Sequence, residues 1–187
     1  FIMIEQEIER SYKILKKGGI ILYPTDTIWG IGCDATNKEA VQKIYSLKKR
    51  SQNKALIILI AEYTNLYKLI DKVSPNAHKE MNNEQPTTVI FNNVKNISTG
   101  ISAQDGSAAI RLVNDDFCQR LIIKLGQPIV STSANISGGP NPEIFTDINN
   151  ELKDNVDYIV NLRQDEIMNK PSSIVKINID GSIKKIR

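Results

Sequence analysis

Ile4, Ile8, Tyr12 and Leu15 recur at helical spacing, and Gly18-Gly19 follows them with the backbone freedom that closes helices. The pattern predicts a first helix ending near Lys17. Ile20 to Tyr23 is a short apolar run before Pro24 and predicts a buried strand, with a polar loop after it. Thr36 and Glu39 stand at capping-box spacing and predict a second helix with Val41, Ile44 and Leu47 on its apolar side. Ala55 to Ala61, Thr87 to Phe91, Ala108 to Leu112 and Ile129 to Ser131 read as further strands, and Ser74-Pro75 starts a helix with proline in the first turn. Asn114 is the expected cap of a helix that lines up Phe117, Cys118, Leu121 and Leu125 and stops at Gly126. Ser173 to Ile179, Asp180-Gly181 and Ser182 to Ile186 predict a hairpin on a type I′ turn.

Helices that alternate with strands, together with that closing antiparallel pair, predict an α/β fold: a twisted mixed sheet with helices packed on it. No composition shift or internal repeat divides the chain, so residues 1–187 are read as a single domain. With 41% hydrophobic and 24% charged residues it falls in the ordinary globular range. The longest unbroken apolar run, Ala55 to Ala61, is far short of a membrane span, and the N-terminal region mixes charges with apolar residues unlike a signal peptide. Cys33 and Cys118 are too few for a zinc cluster or a disulfide scaffold. A cytoplasmic location with no membrane contact is expected. The net charge of +3 says little by itself, but cations cluster at Lys48, Lys49, Arg50 and Lys54 and again at Lys184, Lys185 and Arg187.

Gly30-Ile31-Gly32-Cys33-Asp34-Ala35 matches a dinucleotide fingerprint in letters only, because the strand ends near Tyr23, too early for these glycines to form its turn into a helix. The lone His78 sits between charged neighbours on a helix and reads as a solvated residue, which leaves Lys, Arg, Ser, Thr and Asn to carry any chemistry. Three segments place hydrogen-bonding groups where strands or helices end: Tyr23-Pro24-Thr25-Asp26-Thr27, Lys48 to Lys54, and Ser131-Thr132-Ser133-Ala134-Asn135 followed by Ser137-Gly138-Gly139. Each also has a structural reading as a capped turn, a helix C-terminus rich in cations, or a hydroxyl-rich turn.

Taken in order, these segments resemble the YrdC-type threonylcarbamoyl-adenylate synthases. The resemblance runs from Gly18-Gly19 through YPTDT, the LKKR step, the SAAIR strand, STSAN and PSSIV to Arg187, and is similar to the short, single-domain form of the family. It implies a sheet curved around a large, basic, concave pocket. The implied reaction is carbamate formation from L-threonine and bicarbonate, then attack of the carbamate oxygen on the α-phosphate of ATP, with Mg2+ present and pyrophosphate released. Family positions place Thr27, Arg111, Ser131 and Ser172 on threonine, and Arg50, Lys54, Ser107, Ser133, Asn141 and Arg187 on ATP. Asn135 shapes the same loop, and Lys48 and Arg50 take the catalytic role. An anion attacking a polyphosphate needs such positive charge, and an arginine suits a planar carboxylate. No general base is assigned. Relatives carry Pro-Gly-Pro where this chain has Glu84-Gln85-Pro86, longer members carry histidine in place of Leu59, and Trp29 replaces a usual tyrosine. The implied partners are a downstream threonylcarbamoyl transferase complex and tRNA or double-stranded RNA. The competing readings are a non-catalytic RNA-binding module on the same face, which would have no use for Thr27 and Ser131, and a hydrolase or carbamoyltransferase, which would release no pyrophosphate.

Overall fold

Helix α1 spans Ile2–Lys16 and ends where Gly18 takes a left-handed φ of 76°, its N–H donating back to the carbonyl of Leu15 at 2.9 Å. This computed structural model describes residues 2–49 and 56–187, apart from the side chain of Ile2. Arg50 and Lys54 therefore lie outside the described residues. The strands are β1 (Ile21–Tyr23), β2 (Gly30–Asp34), β3 (Ile57–Ile60), β4 (Thr87–Phe91), β5 (Ala108–Leu112), β6 (Ile129–Ser133), β7 (Tyr158–Ile159), β8 (Ser173–Ile177) and β9 (Ile183–Lys185). Between them run α2 (Lys38–Leu47), α3 (Tyr63–Leu69), α4 (Pro75–Met81), α5 (Asp116–Leu125) and the short α6 (Asn150–Lys153).

Among the described residues all nine strands form one mixed sheet in the order β7-β1-β2-β6-β3-β5-β4-β8-β9. Strand β3 runs parallel to β5 and antiparallel to β6, so the middle of the sheet joins segments far apart in the chain. One face is covered by α2, α3 and α4, whose Val41, Ile44, Leu66, Leu69, Ala77 and Met81 pack on Leu22, Ile31, Ile58, Ile110 and Val130. On the other face, Ile8 and Leu15 of α1 and Phe117, Leu121 and Leu125 of α5 cover Ile21, Tyr23, Leu59 and Ile129. Each of these large buried side chains contributes roughly 1.5–3 kcal/mol through the water it leaves behind.

Several local expectations shift by a residue or change type. The cap of α2 is Asn37, whose side chain accepts from the Ala40 N–H, while Thr36 bonds to the Asp34 carboxylate instead. Asp115, not Asn114, caps α5, because only its carboxylate reaches the Cys118 N–H, at 2.8 Å. The β8–β9 hairpin is not a type I′ turn: of its two central residues only Gly181 has positive φ. Its N–H donates to the carbonyl of Asn178, Asn178 N–H donates to Ser182, and Asp180 accepts from both the N–H and the hydroxyl of Ser182. That is a type I turn closed by a left-handed glycine. The polar stretch after Tyr23 contains β2, which its glycines and its lack of an apolar run concealed. These glycines are needed for close strand packing: a Cβ on Gly32 would lie 2.5 Å from the Val130 carbonyl oxygen and 2.7 Å from the Tyr23 ring. His78 is half-buried and not simply solvated, with its ring 4.7 Å from Tyr63 and its Nε2 3.3 Å from the Tyr67 hydroxyl.

Cys33 and Cys118 are both free and buried on opposite sides of the sheet, and burial pushes both thiols above their ordinary range. Both should resist iodoacetamide in the native protein and react fully in denaturant. Because the unfolded thiols lose protons first, near their ordinary 9.0, stability should be intact below that pH and decline as pH rises through it. Rapid native alkylation would show that the sheet opens locally.

Candidate active site

The face carrying α1 and α5 changes character halfway along its strands. On β6, Ile129 lies under α5 while Ser131 and Ser133 emerge beyond it; on β3 the change is from Leu59 to Ile57, and along β5 it is from Val113, just past the strand, to Ala109. Beyond the helices these small and hydroxylated side chains leave a cleft of about 310 Å³, within the size range of small-molecule sites. Its floor is apolar, from Ile57, Ile90, Ala109 and Ile174, and its rim carries Thr27, Arg111, Ser131, Ser133, Ser172 and Arg187. Gly30 leaves room here, since a Cβ would sit 2.9 Å from the Ser131 hydroxyl and would turn it from its present place.

Arg111 stands at the boundary between core and cleft, 3% exposed. Its Nη2 donates to Asp26 Oδ1 at 2.9 Å and to Thr27 Oγ1 at 3.2 Å, while its buried Nε–H has no partner among the described residues. The second carboxylate oxygen of Asp26 accepts from the Asn114 N–H at 3.1 Å, so the ion pair is tied to the start of α5. The Thr25 hydroxyl donates to the Ile28 carbonyl at 2.8 Å and accepts from the Thr27 N–H at 3.1 Å. Its proton thus committed, Thr25 receives the hydroxyl proton of Thr27, 3.1 Å away. Thr27 Oγ1 then retains acceptor capacity toward a ligand that carries an amine or hydroxyl.

On the opposite rim, the Ser133 hydroxyl donates to Asn135 Oδ1 at 2.5 Å, and Asn135 Nδ2 donates to the Gly139 carbonyl at 2.6 Å. Lys48 is fully buried: its Nζ donates to the Ser133 carbonyl and, at 3.2 Å, to Asn135 Oδ1. The Ser137 N–H in turn donates to the Lys48 carbonyl at 3.1 Å. Lys48 thus braces the loop from beneath and is not among the cleft-lining residues. Ser172 shares a hydrogen bond with Thr88 at 2.8 Å, and the Arg187 guanidinium donates to the Ser172 carbonyl at 2.9 and 3.2 Å.

The structure gathers Thr27, Arg111, Ser131, Ser133, Ser172, Asn141 and Arg187 around one cleft. It does not bring Ser107 there, since that hydroxyl is turned onto Asp105 at 2.6 Å, where its hydrogen bond holds that carboxyl below the usual carboxylate range. Asn135 lies behind Ser133. Trp29 is fully buried, its ring 5.1 Å from Phe145, and its Nε1 has no partner among the described residues. Leu59 is core under α5, directly paired with Arg111 across β3 and β5. The reading from sequence missed the Asp26–Arg111 pair; the carboxylate within YPTDT was its only visible sign.

The chain matches the Sua5, YciO and YrdC family model, described as telomere recombination, over residues 13–187. It is 33% identical over 162 residues to the threonylcarbamoyl-AMP synthase of Blochmanniella pennsylvanica, covering 84% of this chain and 81% of that one. To the threonylcarbamoyl-AMP synthase of Vibrio campbellii it is 32% identical over 179 residues, covering 90% and 93%. Among solved structures it resembles P. abyssi Sua5 complexed with L-threonine, with a TM-score of 0.82, 22% identity and coverage of 96% of this chain and 53% of that one. Full-length HypF in a phosphate- and nucleotide-bound form gives a TM-score of 0.84 at 25% identity, covering 97% of this chain and 28% of that one. The chain thus spans about half of P. abyssi Sua5 and little more than a quarter of HypF. Sequence and fold agree over nearly all of the chain, and it belongs to the Sua5/YciO/YrdC family.

Proposed function

We propose that the protein is an L-threonylcarbamoyladenylate synthase, a transferase that converts L-threonine, bicarbonate and ATP into threonylcarbamoyl-AMP and pyrophosphate for tRNA modification. The observation that carries this reading is the pairing, in the lining of one cleft, of an arginine with a threonine hydroxyl still able to accept. Arg111 suits the substrate carboxylate and Thr27 suits its amine or hydroxyl. Ser131 and Ser172 complete that side, while Ser133, Asn141 and Arg187 face the nucleotide. The relatives named threonylcarbamoyl-AMP synthase support the assignment.

In this reaction the threonine nitrogen forms a C–N bond to the bicarbonate carbon with loss of water. A carbamate oxygen then bonds to the α-phosphorus as the bond to pyrophosphate breaks. The protein's part is to hold two anions together, so cations and oriented donors matter more than a strong base. Arg187 is the described cation on the nucleotide side; Arg50 and Lys54 enter from the sequence alone. Magnesium would arrive as part of the substrate, as MgATP. Among the described residues no group of three or more His, Cys, Asp or Glu is gathered; the phosphates of ATP would supply anionic oxygen ligands to the magnesium. No helix among the described residues is long and apolar enough to cross a membrane, which fits a cytoplasmic enzyme handing its product to a transferase complex acting on tRNA.

The test is pyrophosphate release with ATP, magnesium, threonine and bicarbonate, omitting each in turn. Release should require threonine and bicarbonate; release without threonine would refute the assignment.

A further inference from the structure

Among the described residues four that are not glycine have positive φ: Lys49, Asn93, Asn96 and Arg163. Asparagine tolerates that region through its short polar side chain, whereas a long side chain there is strained and kept only where its surroundings require it. Arg163, at φ 55°, lies in the segment between β7 and β8. Its Nη1 donates to the Thr25 carbonyl at 3.1 Å and to Asp115 Oδ2 at 2.6 Å, and its Nε donates to Glu166. Asp115 is the cap of α5, so one guanidinium joins that helix start to the loop that presents Thr27.

The neighbouring residues of the loop are held from the same side. The Cys118 thiol lies 3.5 Å from the Pro24 carbonyl, and the Asn114 N–H holds Asp26. The segment carrying Arg163 is itself anchored: the buried Glu7 of α1 accepts from the Asn161 N–H at 2.8 Å and from the Tyr158 hydroxyl at 2.7 Å. We infer that Arg163 is a positioning residue for the substrate amino acid: it clamps the Thr25 carbonyl to the α5 N-terminus and thereby sets the place of Thr27 and Asp26 beside Arg111. This rests on the threonine assignment of that side of the cleft. Arg163 acts through Thr25 and need not touch the ligand.

The arrangement separates clamping from stability. Arg163→Gly removes the guanidinium but relieves the positive-φ strain, so its melting temperature should match or exceed that of the Arg163→Ala variant, which keeps the strain. In both, KM for threonine should rise about tenfold, the loss expected for a charge-assisted hydrogen bond, with KM for ATP little changed. Arg163→Lys, which keeps the charge near Asp115, should recover part of the threonine affinity. A Gly variant with threonine KM within twofold of wild type would overturn the inference, as would equal weakening of both substrates. Hydrogen exchange at the amides of residues 25–28 in the ligand-free protein provides a second measure that does not depend on the reaction. Exchange should accelerate in the Gly variant even if the wild type proves to have another substrate, and unchanged exchange would overturn the clamp whatever the enzyme does.

Discussion

Arg111→Ala should destabilise the fold by about 3–5 kcal/mol, because it leaves the Asp26 carboxylate buried without its counter-charge. Both side chains of the pair are 4% exposed, so water cannot take the place of the lost guanidinium. For a chain of this size the melting temperature should fall by about 2–4 °C per kcal/mol, roughly 10 °C in all. Adding Asp26→Asn to the same chain should restore part of that loss, since an amide carries no charge to strand. A single variant that melts with the wild type would mean that the pair is solvated in solution. Arg111→Lys separates structure from binding: the charge beside Asp26 is kept while the planar fork is lost. Calorimetry should then show weakened threonine binding and little change for a non-hydrolysable ATP analogue. Loss of the nucleotide with threonine retained would show that the two halves of the cleft are assigned the wrong way round.

Lys48→Met is expected to have the next largest effect, about 2–4 kcal/mol, since methionine fills the space of the stem but donates nothing to the Ser133 carbonyl or to Asn135 Oδ1. The damage should be local as well as global. With the ammonium gone, the loop from Ser131 to Gly139 loses its brace from below, and amide exchange there should quicken before the rest of the sheet. ATP-dependent turnover should fall with it, because Ser133 and Asn141 would no longer be held in place. The same turnover with exchange confined to wild-type rates would show that the loop keeps its shape without Lys48. Its place in the basic run after α2 predicts a catalytic cation. The structure gives it a supporting position beneath the loop instead.

That difference shows where sequence reading reaches its limit. The stop at Gly18, the Ser74-Pro75 helix start, the strands at Thr87–Phe91 and Ala108–Leu112 and the end of α5 at Gly126 were legible because each depends on bonds or periodicity within a turn or a single strand. The caps of α2 and α5 were each displaced by one residue, since neighbouring polar side chains compete for the same N–H and only the geometry decides between them. The hydroxyl-rich ends of β6 and of the loop after β1 were visible as places where an apolar run turns polar.

Tertiary structure alone decided the rest. The pattern of β2 is glycine-rich, and only its pairing with β1 and β6 makes it a strand. Whether a lysine near a helix end is exposed or buried depends on which loop folds over it, and for Lys48 that loop comes from β6. Asp26 with Arg111, and Arg163 with Thr25, are pairs widely separated in the chain and joined by the order of strands in the sheet. No local periodicity encodes such a pair: its energy appears only when the register of the sheet has brought both partners out of water together.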